Sequence, residues 1–229
     1  MAPEIFNSMK KLLTSFLIIT LALTFLPLPF AQAADFPDVP ASHPNYTAVN
    51  FLRERSVING YEDGTYKPNR DVTRAEFLKI ILLSSGHPAL PGDLDRQTFP
   101  DVPSTAWYFG LVNRGLALGV ISGYPDGTFK PDRTVSRVEA LKIMLRANNI
   151  TETVLPTSGA NYSDIAEGLW YTPYARYAMV ARLFDGSQLR PNEMMNRGQV
   201  AEMVYRFYQH RPDLLPSSPL PTSAPTPTP

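Results

Sequence analysis

The sequence predicts an all-helical fold built from three packed helix–turn–helix units. Three observations carry the prediction: a pattern that returns along the chain, two stretches of helical apolar spacing in each copy, and Gly/Pro turns at matching places. Phe36-Pro37-Asp38-Val39-Pro40 comes back as Phe99-Pro100-Asp101-Val102-Pro103 and, more loosely, as Tyr162-Ser163-Asp164-Ile165. Gly60-Tyr61-Glu62-Asp63-Gly64-Thr65-Tyr66-Lys67-Pro68 matches Gly123-Tyr124-Pro125-Asp126-Gly127-Thr128-Phe129-Lys130-Pro131. The third copy, Gly186-Ser187-Gln188-Leu189-Arg190-Pro191, lacks about three residues of that turn and realigns on Pro191.

Residues 1–33 read as a secretory signal peptide. Lys10 and Lys11 precede an uncharged run from Leu12 to Leu26, then Pro27, Pro29 and the small-residue triplet Ala31-Gln32-Ala33, with cleavage expected after Ala33. An uncleaved membrane anchor is the alternative, because the apolar run is near the lower limit for spanning a bilayer. The first unit, 34–86, has a weakly amphipathic helix with Tyr46, Val49 and Leu52 on one face, then the Asp-Gly turn, then a second helix with Phe77, Ile80 and Ile81 on its apolar face. A linker at 87–98 leads to the second unit, 99–148, with Phe109, Val112 and Leu116, then Ala140, Ile143 and Met144. A second linker, 149–161, leads to the degenerate third unit, 162–211, with Tyr174, Tyr177, Ala178 and Ala181, then Met203, Val204 and Phe207. The linkers are rich in Gly, Pro, Ser and Thr and read as surface loops. Each unit is about fifty residues long, too small and too one-sided to bury its own apolar face, so the three must pack together. The remainder, 212–229, reads as a disordered tail: from Pro216 on it has no charge and one large apolar side chain, Leu220.

Composition narrows the function. The 229 residues include no cysteine, which excludes disulfides, thiolate metal sites and thiol catalysis. Lys+Arg 21 balances Asp+Glu 21, and a neutral chain lacks the basic surplus that binding to a nucleic-acid backbone requires. His43, His87 and His210 are the only histidines and have no metal-ligand spacing. Asp63-Gly64 and Asp126-Gly127 lack the alternating oxygen ligands of a calcium loop and read as turns. No metal or cofactor is expected.

Thr73 with Glu76 and Ser136 with Glu139 fit the capping box, in which hydroxyl and carboxylate each satisfy a free backbone N–H at a helix start. Asn196 and Gln199 can play the same roles without charge in the third copy. Arg74, Arg137 and Arg197 follow these caps at the positive end of the helix, where a cation is mildly unfavourable. Two readings stand level. Either each guanidinium and the adjacent N–H groups form an anion site, or each arginine is tied by a salt bridge to Asp38, Asp101 or Asp164. Trp107 and Trp170 occupy one register position, where the first copy has Pro44. They could stack on a sugar face or pack in the core between repeats.

Taken together, these residues resemble the S-layer homology (SLH) domain family, whose repeats share an F-x-D-V opening, a Trp-bearing first helix, a G-Y-x-D-G-x-F-x-P turn and an I-T-R-A-E helix start. Thr73-Arg74-Ala75-Glu76 is a close match, Ser136-Arg137-Val138-Glu139 a good one and Asn196-Arg197-Gly198-Gln199 a degraded one. The resemblance implies three repeats in a pseudo-threefold bundle. The grooves between them would bind secondary cell-wall polysaccharide or a peptidoglycan-linked glycan, often through an acidic, pyruvylated sugar. It implies that Arg74, Arg137 and Arg197 read the acidic group, with Asp38, Asp101, Asp164, Trp107 and Trp170 as secondary candidates. It also implies a non-catalytic module in the cell wall or surface layer, fused to or associated with an S-layer protein. The anchor portion of a wall hydrolase and a structural protein–protein scaffold are the rival readings.

Overall fold

The computed structural model describes residues 35–94 and 98–216. The expected signal peptide at 1–33 and the tail beyond Pro216 lie outside the described residues. Among the described residues there are six α-helices: α1 (Tyr46–Glu54), α2 (Arg74–Ser84), α3 (Phe109–Ala117), α4 (Arg137–Ala147), α5 (Thr172–Val180) and α6 (Arg197–His210). None is long and apolar enough to cross a membrane.

The second helix of each pair starts at a capping box. Thr73 Oγ1 accepts the Glu76 N–H at 3.3 Å while a Glu76 carboxylate oxygen accepts the Thr73 N–H at 3.0 Å. Asn196 and Gln199 exchange the same two bonds at 2.8 and 3.0 Å. At Ser136 both the N–H and the hydroxyl donate to one Glu139 oxygen, each at 3.1 Å.

No unit closes its own core. The outer helix of each packs instead on the second helix of the preceding unit: α3 on α2, α5 on α4, and α1 on α6. The second helices meet in the middle, α2 touching both α4 and α6. This gives the all-helical bundle that the sequence predicts and corrects one detail of the amphipathic reading. α2 is buried nearly all round, because Leu78 and Leu82 join Phe77, Ile80 and Ile81 inside. A helix at the centre of a ring has neighbours on every side, so its apolar residues need not form a single stripe.

Main-chain bonds close the same ring. The Val72 N–H donates to the Met195 carbonyl at 2.9 Å, Met195 to Val135 at 2.9 Å, and Val135 back to Val72 at 3.2 Å. All three side chains are fully buried. Around this triangle each helix start docks on the next unit's turn. Arg74 and Ala75 N–H groups reach the Arg133 and Pro131 carbonyls, Arg137 and Val138 reach Glu193 and Pro191, and Arg197 and Gly198 reach Arg70 and Pro68. The free N–H groups at three helix starts are thus satisfied between units rather than by water.

The first linker carries a short 3-10 turn, Pro91–Leu94, against α3, where a Cβ on Gly110 would come within 3.0 Å of Leu94. In the second linker Ile150 and Leu155 are buried. The described residues also include the start of the expected tail. Pro212–Leu214 form another 3-10 turn, Leu214 and Leu215 pack on the core, and Pro216 lies over Gly86. The two leucines tie this segment down by apolar contact.

Candidate inter-repeat anion sites

The three opening aspartates share one geometry. Asp38 accepts the Tyr66 and Lys67 N–H groups at 2.9 and 2.7 Å, Asp101 those of Phe129 and Lys130 at 2.9 and 2.7 Å, and Asp164 those of Leu189 and Arg190 at 2.8 and 2.7 Å. Lys67, Lys130 and Arg190 have φ of 57°, 58° and 54°, a region that costs a residue with a Cβ roughly 1–2 kcal/mol. Each carboxylate therefore clamps a strained turn of its own unit, and the expected alternative of a salt bridge to the capping arginine is not formed.

The arginines turn to the next unit instead. Arg74 Nε donates to the Phe129 carbonyl at 3.1 Å and Nη2 to that of Ser122 at 3.4 Å, with the guanidinium 5.0 Å from the Tyr124 ring centre. Arg197 Nε donates to the Tyr66 carbonyl at 2.7 Å, the Tyr66 hydroxyl donates back to the Arg197 carbonyl at 2.9 Å, and the guanidinium lies 4.8 Å from the Tyr61 ring centre. Among the described residues no carboxylate comes within ion-pair distance of either arginine. Arg137 differs. Its Nη1 donates to the Leu189 carbonyl at 2.8 Å, Nη2 pairs with Glu193 at 2.6 Å, and the ring beside it is Phe184, 5.1 Å away.

Trp107 is half-buried, and Trp170 is 53% exposed, which excludes a core role for the latter. Each carries a lysine from the helix beneath it: Lys79 of α2 lies 5.4 Å from the Trp107 ring centre, and Lys142 of α4 lies 5.1 Å from that of Trp170. Burial, reinforced by Arg197, lowers the pKa of Lys79, and the nearby Glu76 only partly opposes this. Burial, Arg146 and, less strongly, Arg74 lower that of Lys142 against the pull of Glu152. The nearby acids are already engaged: Glu76 with Arg70 at 2.8 Å, Glu139 with Arg133 at 2.7 Å, and Glu152 with Arg146 at 2.6 Å and with Tyr174. Lys142 thus lies against Trp170 and in the field of Arg74, and Lys79 against Trp107 and in the field of Arg197. At the third position the lysine is replaced by Glu202, which pairs with Arg206 at 2.7 Å, and the tryptophan by Pro44.

Sequence reading missed the lysines and Glu193. Their signal lay in comparing the copies at fixed register: Lys79, Lys142 and Glu202 align, as do Arg70, Arg133 and Glu193. Among the described residues no group of three or more His, Asp or Glu side chains converges to hold a metal ion.

A match to the S-layer homology domain family covers residues 35–78 and again 98–141. Two segments of the chain thus match the S-layer homology domain. Similar proteins include a "Middle cell wall protein" of Brevibacillus brevis, 28% identical over 86% of this chain and 18% of its own length. A "Cellulosome-anchoring protein" of Acetivibrio thermocellus is 31% identical over 61% of this chain and 33% of its own, and an "S-layer protein sap" of Bacillus anthracis is 24% identical over 86% and 24%. The chain thus spans a third or less of each of these relatives. These two matches and the similarity to S-layer and cell-wall proteins put the chain among cell-surface and cell-wall proteins.

Proposed function

We propose that this chain is a non-catalytic anchor. It binds secondary cell-wall polysaccharide noncovalently through the grooves between its repeats, and so tethers an exported protein or a surface layer to the envelope. Residues 162–211 act in this reading as a third S-layer homology repeat, supported by the same cap, the same aspartate clamp and the same docking of helix start on turn. The ligand contact is an acidic sugar, of the pyruvylated kind. The observation that carries the reading is an arginine bonded to carbonyls of the next unit with no carboxylate on it, together with a lysine set against a tryptophan. Such a pair favours a monoanion, held by charge-assisted hydrogen bonds worth roughly 1.5–3 kcal/mol each, while the indole takes the apolar face of the ring.

The test is co-sedimentation of the purified chain with isolated cell-wall sacculi. Binding is expected, and it is expected to vanish when the wall polymer is stripped or its pyruvate removed. Unchanged binding after both treatments refutes the acidic-sugar reading. Absence of binding to intact sacculi favours a protein–protein scaffold, and breakdown of the wall during the assay would make the chain part of a hydrolase.

A further inference from the structure

The three inter-repeat positions are not equivalent, and their differences do not follow the quality of the T-R-A-E motif. We infer that two grooves bind an acidic sugar, those at Arg74 and Arg197, and that the groove at Arg137 is closed to it by the chain's own Glu193. This rests on the sugar-binding reading and goes beyond it by fixing which sites work and how many.

The argument is local charge. At Arg137 the guanidinium already holds a carboxylate at 2.6 Å, with the arginine side chain 11% exposed and the glutamate 33%. An incoming carboxylate would have to displace that partner in a half-desolvated place, and removing one member of such a pair leaves the other charge uncompensated. Glu193 also accepts from Gln199 at 3.3 Å and lies 3.5 Å from Arg190, so it is held from three sides. Three further changes at the same position act in one direction. Glu202 replaces the lysine, Pro44 the tryptophan and Phe184 the hydroxyl-bearing tyrosine, which removes a cation, a stacking surface and a hydrogen-bond donor.

The degraded motif, Asn196-Arg197-Gly198-Gln199, is explained without loss of function. Gly198 leaves room for the Asn45 side chain, whose Oδ1 would lie 2.4 Å from a Cβ at that position. Gln199 replaces the capping glutamate because its ordinary partner, the arginine at 70 and 133, is here Glu193, and two carboxylates would face each other. Neither change touches the Arg197 guanidinium. It keeps an unneutralised charge, Tyr61 beside it and Lys79 within electrostatic reach.

The experiment is ligand counting by native mass spectrometry and calorimetry, with a synthetic 4,6-ketal-pyruvylated N-acetylhexosaminide as probe. The intact chain is expected to take up two equivalents. Lys142→Glu and Lys79→Glu each introduce the residue that the third repeat carries at 202, and each, once circular dichroism shows an intact fold, is expected to leave one equivalent. Arg137→Ala, checked by circular dichroism for an intact fold, is expected to leave both. Uptake of three equivalents, or loss of one in Arg137→Ala, overturns the groove assignment while leaving the sugar reading intact. No uptake of the probe by the intact chain overturns both.

Discussion

Replacing Asp101 with alanine is expected to lower the melting temperature by about 6–12 °C at neutral pH. Its carboxylate accepts the N–H groups of Phe129 at 2.9 Å and Lys130 at 2.7 Å, across 28 and 29 residues of chain. Phe129 is fully buried, so its N–H has no water to turn to, and Lys130 is held at φ 58° against its own preference. A hydrogen bond to a charged group is worth about 1.5–3 kcal/mol. Asp101 is itself half-exposed, so water recovers part of the loss, and about 3 kcal/mol for the pair is a fair expectation. In a domain of this size each kcal/mol shifts the melting temperature by about 2–4 °C. The assay is thermal unfolding followed by circular dichroism at 222 nm. Because the Phe129 carbonyl receives Arg74 Nε, slackening of this turn is also expected to loosen the neighbouring groove. A shift below about 2 °C would refute the clamp and return Asp101 to the list of ligand contacts.

Two further outcomes are expected. Gly123→Ala would bring a Cβ to 2.5 Å from Phe99 Cε1 and 3.1 Å from the Thr128 carbonyl, an overpacking cost of about 1–3 kcal/mol, and Phe99→Leu, which removes Cε1, should reduce that cost in a double-mutant cycle by chemical denaturation. Stability is expected to fall in acid. Asp63, held by Thr65 and Lys67, Asp126, held by Lys130 and Thr128, and Glu152, held by Tyr174, have pKa values lowered to about 2 from ordinary values of 3.8 and 4.5. Groups with depressed folded-state pKa values stabilise the fold above their ordinary values and lose that contribution as pH falls towards 2. Melting temperatures measured across that window should decline, and Glu152→Gln should flatten the profile; a profile already flat in the unaltered chain would contradict the pairing.

Local rules carried the sequence reading a long way. Capping residues act within four positions, so Thr73 with Glu76 and Asn196 with Gln199 are visible in any single copy. Apolar spacing gave the helices for the same reason. Asp38, Asp101 and Asp164 were visible as a recurring feature but not as clamps, because their partners lie 25 to 29 residues downstream. The arginines were harder still. Burial at the N-terminal end of a helix looks unfavourable until the carbonyls of another unit are brought to it, and only the closed ring does that.

The ring also explains why a repeat is the wrong unit for judging a site. Each groove takes its arginine from one unit, its lysine and tyrosine from the next, and its tryptophan from the one after: Arg74, Lys142 with Tyr124, and Trp170. The second unit matches the family pattern well, yet its own Arg137 faces Glu193 from the third. The third unit matches poorly, yet its Arg197 faces Tyr61 and Lys79 from the first. Motif quality measures whether a helix start is capped and docked, which is a demand of the fold. In the proposed anchoring role, binding depends instead on charge balance across a seam, and Glu193, where the other two copies have arginine, alters the seam it faces while its own helix start is kept by the compensating Gln199. A substitution that closes one site can in this way leave the fold and the other two seams untouched.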